Sequence, residues 1–205
     1  MQQLSVSRLF DGSKWFDNVS VSIADGHIQA ITPAQGAVMP GRLVPGFIDI
    51  QVNGGGGALF NSSPDRQALR TMFQAHSRFG TCAMLPTVIT DSIEVMQQAA
   101  DAIADAIAEQ EPGILGVHFE GPHLSVARRG IHPAEQIRPL SDKEMQLMCR
   151  KDIGKVMVTL APETVPVEQI RQLVAQGVMV SLGHSAATAE QALAAIEAGA
   201  RCFTH

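Results

Sequence analysis

The sequence predicts an α/β protein: an incomplete (β/α)8 barrel with about six of its strands present, preceded by a small antiparallel β segment. Three observations predict it. From Val44 onward, short runs rich in β-branched residues alternate with stretches of helical character, which is the pattern of a parallel sheet with helical cover. The polar residues of those runs gather at their C-terminal ends. Residues 1–43 follow another rhythm, short alternating runs punctuated by Asp-Gly pairs.

The chain divides accordingly into residues 1–43 and 44–205. In the first part, "LSVSRLF", "NVSVSIADGHIQAI" and "GRLV" read as strands. Asp11-Gly12 and Asp25-Gly26 mark hairpin turns. Val19, Val21 and Ile23 fall on one face because side chains alternate along a strand.

In the second part the predicted strands are Phe47–Val52, Thr81–Val88, Gly113–Phe119, Lys155–Leu160, Val178–Leu182 and Arg201–Thr204. The helices between them carry start and stop signals. Ser63 caps a helix whose first residue is Pro64. Asp91 to Glu94, Ser141 to Glu144 and Thr188 to Gln191 fit capping boxes or close variants. Gly80, Gly177 and Gly199 sit where helices stop. Ala189, Ala192, Leu193 and Ile196 form one apolar stripe on the last helix.

Strand–helix repetition fits a doubly wound sheet as well as a barrel. The polar strand ends decide for the barrel. Gln51 and Asn53, Glu120, His184 and His205 each follow a different strand, and a barrel opens all such ends onto one face. Six strands are two short of closure, and a barrel typically takes ~250 residues. The sequence therefore reads as the front part of a larger protein.

Composition narrows the function. The formal net charge of −5 argues against a nucleic-acid face, which shows as a basic excess. No apolar run approaches the ~18 residues of a membrane span, so no membrane partner is expected. The N-terminus "MQQLSVSRLFDGSKWF" has no apolar signal core. Cys82, Cys149 and Cys202 are scattered and fit neither a disulfide framework nor a C-x-x-C site. A cytoplasmic protein with reduced thiols is expected.

Chemistry concentrates in "GVHFEGPHLS", "VMVSLGHSAAT" and "RCFTH". A carboxylate (Glu120) and two imidazoles (His184, His205) at strand ends on one face are the donor set of a catalytic Zn²⁺-type site. Such a site lowers the pKa of water to ~7. His118 shares its strand with Glu120 and points to the same side, either behind the ligands or packed in the barrel. His27 and His76 read as surface positions, and the nine methionines as core filler.

Together "PGFIDIQVNGGGG", "HFEGPHLS…RRGIHP", "TLAPE", "SLGHSAAT" and "FTH" resemble the N-acetylglucosamine-6-phosphate deacetylase family of the amidohydrolase superfamily. The resemblance spans essentially the whole chain in order. It implies a barrel plus a small β-sandwich, of which residues 1–43 supply a part. It implies hydrolysis of the acetamide of a phosphorylated amino sugar, N-acetylglucosamine 6-phosphate, to the amine and acetate. It implies one divalent metal ion, Zn²⁺, on Glu120, His184 and His205. Many amidohydrolases carry His-x-His at the end of the first strand and bind two metals. Here that place reads Gln51-Val-Asn53, and neutral amides are poor ligands for such an ion. Gln51 and Asn53 are then expected to hydrogen-bond around the ligands rather than to bind metal, with the Gly54–Gly57 run as a loop near the site.

The resemblance also places the Ile131 backbone and His132 near the sugar. Arg128 and Arg129 either attract its phosphate or are simply solvated. The family's acid/base aspartate lies beyond residue 205, so no catalytic acid/base is expected within this chain and it is expected to be inactive alone. An open sheet edge predicts self-association, a homo-oligomer. Two other readings stand beside this one: a deacetylase for the galactosamine epimer or another single-metal amidohydrolase, and a short form that binds a ligand or partner without catalysis. Gln51-Val-Asn53 in place of His-x-His favours the glucosamine enzyme.

Overall fold

The computed structural model describes residues 1–205, in two compact units, Met1–Gly46 and Phe47–His205. The first unit is a four-stranded sheet of β1 (Gln2–Phe10), β2 (Trp15–Ala24), β3 (His27–Pro33) and β4 (Met39–Leu43), in the order β3-β2-β1-β4. Asp25 and Gly26 join β2 to β3 with φ of 52° and 74°, as a two-residue type I′ hairpin turn requires. Val6, Leu9, Val19 and Val21 form its buried cluster, with Ile23 packed against it. One expectation is corrected. The sheet is mixed, because β4 joins β1 in parallel. The link after β3 carries the chain to the opposite edge instead of folding back as a hairpin. Pro40 is tolerated there because an edge strand need not donate every N–H.

The second unit is a parallel six-stranded sheet, curled into a half-barrel. Its strands are β5 (Phe47–Val52), β8 (Thr81–Ile89), β9 (Gly116–Glu120), β10 (Lys155–Leu160), β11 (Met179–Leu182) and β12 (Cys202–Phe203). They lie in the order β12-β11-β10-β9-β8-β5, so each neighbour in space follows in sequence. A small hairpin, β6 (Gly54–Gly55) with β7 (Ala58–Leu59), follows β5. The helices are α1 (Arg66–Ser77), α2 (Ile93–Ala108), α3 (Asp142–Met148), α4 (Val167–Ala175) and α5 (Ala189–Glu197). None is long and apolar enough to cross a membrane.

Alternation along the strands builds two layers. Val117, Phe119, Val158, Leu160, Val180 and Leu182 join the buried cluster that includes Leu69, Met72, Ile103, Ile170 and Leu173 from the helices. The residues between them, His118, Thr159 and Ser181, are equally buried but polar. The two faces of the sheet therefore differ in chemistry.

Both C-terminal capping boxes form, Ser141 with Glu144 and Thr188 with Gln191. The two earlier helix starts shift. Asp65, not Ser63, caps α1 by accepting from Ala68 N. Ser92, not Asp91, caps α2 by accepting from Val95 N, while Asp91 binds Asn61 Nδ2 instead. In each case another Ser or Asp nearby had the better reach to an unpaired N–H. Gly80, Gly177 and Gly199 follow α1, α4 and α5 with positive φ, as helix stops.

The stripe expected on α5 also differs. Ala195 and Ala198 face the core, while Leu193 and Ile196 remain 58% and 42% exposed. Strand β12, which follows α5, is the outer strand of the sheet on that side.

The glycine run is explained by close approach. A Cβ on Gly54 would meet Ala58 O, and one on Gly55 would meet the His76 ring; Gly56 and Gly57 have φ of 62° and 89°. The run is a hairpin held to α1, where His76 Nε2 donates to Gly54 O at 2.9 Å. His76 is thus half-buried and bonded rather than a free surface position. The three cysteines are free.

Candidate metal centre

The last residue of β9 is Glu120, buried between the neighbouring strands β8 and β10. His184 follows β11 after a single glycine. A Cβ on Gly183 would lie 2.8 Å from Thr159 Cγ2 and 2.9 Å from Thr204 Cβ, so only glycine lets β11 pass so close to its neighbours. His184 itself is left-handed, with φ 48°. Three contacts hold it there. Ser125 N donates to its carbonyl at 2.9 Å. Its Nδ1 donates to Arg128 O at 3.0 Å. Beyond it, Ser185 Oγ and Ala186 N donate to the Glu163 carboxylate at 2.6 and 2.5 Å. Burial opposes the charge on Glu163, but these bonds outweigh it and hold the carboxyl below its usual range. His205 lies two residues past β12.

These elements bring the three expected residues together. His184 Nε2 and His205 Nε2 each lie 3.1 Å from the same oxygen, Glu120 Oε1. One ligand atom from each residue falls within 4.8 Å of the others. The two imidazoles meet edge to face, with ring centroids 5.0 Å apart. The donor count fits a cation. The Arg128 carbonyl only accepts, so the N–H of a neutral His184 ring sits on Nδ1 and its Nε2 turns a lone pair toward a carboxylate oxygen. A divalent ion among these atoms would turn opposed lone pairs into ligands. An imidazole N–H on a backbone carbonyl is also the usual outer support of a metal-binding histidine.

The other expected site residues are placed as follows. His132 is buried, accepting from Thr90 N at 3.3 Å and bonded to Thr90 Oγ1 at 2.8 Å through Nδ1. Its ring meets that of His184 edge-on at 4.5 Å. Burial pushes its imidazole down to about 4, against the pull of Glu120. Ile131 is 84% exposed on the loop before it. Gln51 donates its backbone N–H to Asp49 Oδ1, and Asn53 accepts from Phe60 N. The structure joins neither side-chain amide to the cluster. Arg129 Nη1 holds the His132 carbonyl at 2.8 Å, and Arg128 contributes the carbonyl that orients His184.

His118 proves to be packed in the interior. It bonds Ile50 O through Nδ1 and Thr159 Oγ1 through Nε2, at 3.0 and 2.7 Å. Burial pushes it down to about 4, again opposed by Glu120. Sequence reasoning missed Thr159, Ser181, Thr204 and Glu163. A signal existed for the first two: Thr159 and Ser181 are each the one hydroxyl within a largely apolar strand.

A parallel half-barrel with a carboxylate and two imidazoles converging at its strand C-termini defines the class of metal-dependent barrel hydrolases. The chain belongs to the amidohydrolase family, whose pattern residues 42–205 match, and that family uses a divalent metal. It is 62% identical over 165 residues to an N-acetylgalactosamine-6-phosphate deacetylase of Shewanella sp. (strain ANA-3), which covers 80% of this chain and 42% of that relative. It is 34% identical to an N-acetylglucosamine-6-phosphate deacetylase of Haemophilus influenzae, over 80% of this chain and 43% of the relative. The crystal structure of N-acetylglucosamine-6-phosphate deacetylase from Pasteurella multocida superposes with a TM-score of 0.90 at 31% identity, covering 100% of this chain and 56% of that one. The chain thus spans about half the length of the relatives it matches.

Proposed function

We propose that the chain forms the metal-holding part of an amino-sugar-6-phosphate deacetylase, which hydrolyses the acetamide of its substrate to a free amine and acetate. The observation that carries this reading is the convergence of two imidazole nitrogens on one carboxylate oxygen at the mouth of the half-barrel. Glu120, His184 and His205 would hold one Zn²⁺. When bound, such an ion supplies Lewis-acid polarisation of a carbonyl and lowers the pKa of water to ~7.

The chain's own residues would do the rest of the positioning. The Arg128 carbonyl and the Glu163 carboxylate aim His184. His132, neutral and beside His184, faces the sugar together with the Ile131 backbone. Gln51 and Asn53 border the site without binding the ion. The proton-transferring carboxylate is supplied from beyond residue 205. Residues 1–43 form one part of a two-layer β-sandwich, and the protein works in the cytoplasm.

The 62% relative carries the galactosamine name, and this favours N-acetylgalactosamine 6-phosphate as substrate. The glucosamine epimer is the second reading, favoured by the Haemophilus influenzae and Pasteurella multocida likenesses. The test is acetate release from both 6-phosphates by the chain supplied in trans with the C-terminal half of the Shewanella relative. Faster release from the galactosamine epimer is expected. The reverse order moves the assignment to glucosamine, and release from neither sinks the deacetylase reading.

A further inference from the structure

Beneath the Glu120–His184–His205 cluster runs a second line of buried polar groups that crosses the sheet. His118 Nδ1 lies 3.0 Å from Ile50 O on β5. His118 Nε2 lies 2.7 Å from Thr159 Oγ1 on β10. Thr159 Oγ1 lies 2.8 Å from Thr204 Oγ1, and Thr204 Oγ1 lies 2.7 Å from Ser181 Oγ on β11. All four side chains are buried.

Proton counting gives this line a direction. A carbonyl only accepts, so His118 Nδ1 carries the hydrogen. A neutral imidazole has one N–H, so its Nε2 accepts, and Thr159 must donate to it. That uses the single proton of Thr159, so Thr204 donates to Thr159. The same step obliges Ser181 to donate to Thr204. His118 Nδ1 also lies 3.4 Å from Thr87 Oγ1, a longer second contact to an oxygen that accepts from Val52 N at 3.0 Å and donates to Leu85 O at 3.2 Å, so the proton count along the line is unchanged. Every member is satisfied in one arrangement only, and chained bonds of this kind strengthen one another.

The line ends where backbone pairing is weakest. Strand β12 has two residues, paired through Ser181 with Cys202 and Leu182 with Phe203. Past it, Thr204 N donates to Leu182 O at 2.8 Å. The next residue is His205, left-handed at φ 75°. The Thr204 hydroxyl, with two buried bonds, anchors the residue directly before His205 in the chain.

We propose that Thr204 is a positioning residue of the metal centre: its hydroxyl, the junction of a one-way hydrogen-bond chain from Ser181 through Thr159 to His118 and the Ile50 carbonyl, fixes the end of β12 so that His205 faces Glu120. This rests on the reading of Glu120, His184 and His205 as the ligands. A role confined to holding the sheet together would cost stability without changing metal affinity in the folded chain.

The experiment has two arms on the 205-residue chain. The first is Zn²⁺ affinity by chelator competition for the wild type, Thr204→Val and Thr204→Ser, at a temperature below the melting point measured for each. Thr204→Val is expected to weaken binding ~10–100-fold and Thr204→Ser to restore it to within about threefold, as for other groups that orient metal ligands. The second is ¹⁵N NMR of the wild-type His118 ring, which needs no variant to fold. A neutral ring protonated at Nδ1 is expected. A folded Thr204→Val chain that binds like wild type overturns the proposal, and so does a ring protonated at Nε2. A wild type without affinity, or a Glu120→Gln chain that binds as well as wild type, would instead remove the metal site itself and this proposal with it.

Discussion

At the scale of single residues, the centre turns on Glu120 Oε1, the one atom that both imidazoles face. Glu120→Gln replaces the shared anionic oxygen with a neutral amide, a poor ligand for a Zn²⁺-type ion. Titration calorimetry should show Zn²⁺ binding lost, while circular dichroism stays that of the wild type. Undiminished binding would take Glu120 off the ligand set. Acid is expected to act on the histidines around it. His118 and His132 are pushed down to about 4 by burial, against an ordinary value near ~6.5. Between those values the unfolded chain takes up protons that the folded chain refuses. Their contribution to stability is therefore complete above about 6.5 and is lost as pH falls toward 4, with a slope of up to ~1.4 kcal/mol per pH unit for each imidazole. Urea unfolding with chelator present, at about pH 7.5, 6 and 5, reads that slope directly, and a flat profile would contradict it. The types and strand-end places of Glu120, His184 and His205 were legible in the sequence. Their support was not, because it comes from a backbone carbonyl at Arg128 and a carboxylate at Glu163, and loop geometry sets both.

Among the elements, the strand ladder was the most legible part, since Phe47–Val52 and Lys155–Leu160 coincide with β5 and β10. The capping residues of α1 and α2 were less so. Several Ser and Asp side chains crowd each of those starts, and only the path of the backbone selects one. The stripe on α5 misled because periodicity reports that a face is apolar, not what covers it. Close approach between strands is a further element-scale property that composition hides. A Cβ on Gly116, at the start of β9, would collide with the Lys155 carbonyl oxygen. Both atoms belong to paired backbones, so neither can turn away. Gly116→Ala should cost about 1–3 kcal/mol, as overpacking does. Denaturant midpoints compared with wild type measure it, and a loss below about 0.5 kcal/mol would mean that β9 and β10 can part there.

For the molecule as a whole, the open sheet is the dominant fact. Strands β5 and β12 each have a single neighbour within it. Apolar side chains stand exposed along both: Phe47 and Ile48 on one, Phe203 with Leu193 and Ile196 of α5 by the other. Unpaired strand edges and contiguous apolar surface favour association. The 205-residue chain is therefore expected to sediment as an oligomer, and a monomer at micromolar concentration would refute this. Acetate release by the chain alone should fall well below that of the complemented form. A missing general acid/base typically costs ~10²–10⁴-fold, and turnover within about tenfold of the complemented rate would place that group within these residues. The half-barrel itself was legible from strand–helix alternation. The mixed pairing of β1 with β4 was not, since no local pattern tells a crossover from a hairpin.

The order of that sheet has a consequence in time. Each strand lies beside its predecessor in sequence, so contacts form between units made one after another, a topology that can fold stepwise from the N-terminus during synthesis. Glu120 would be in place early and His184 next, while His205 waits for β12. A divalent ion could then meet all three of these side chains only after β12 has docked on β11. Metal uptake during translation would serve as a clock that registers the docking of β12.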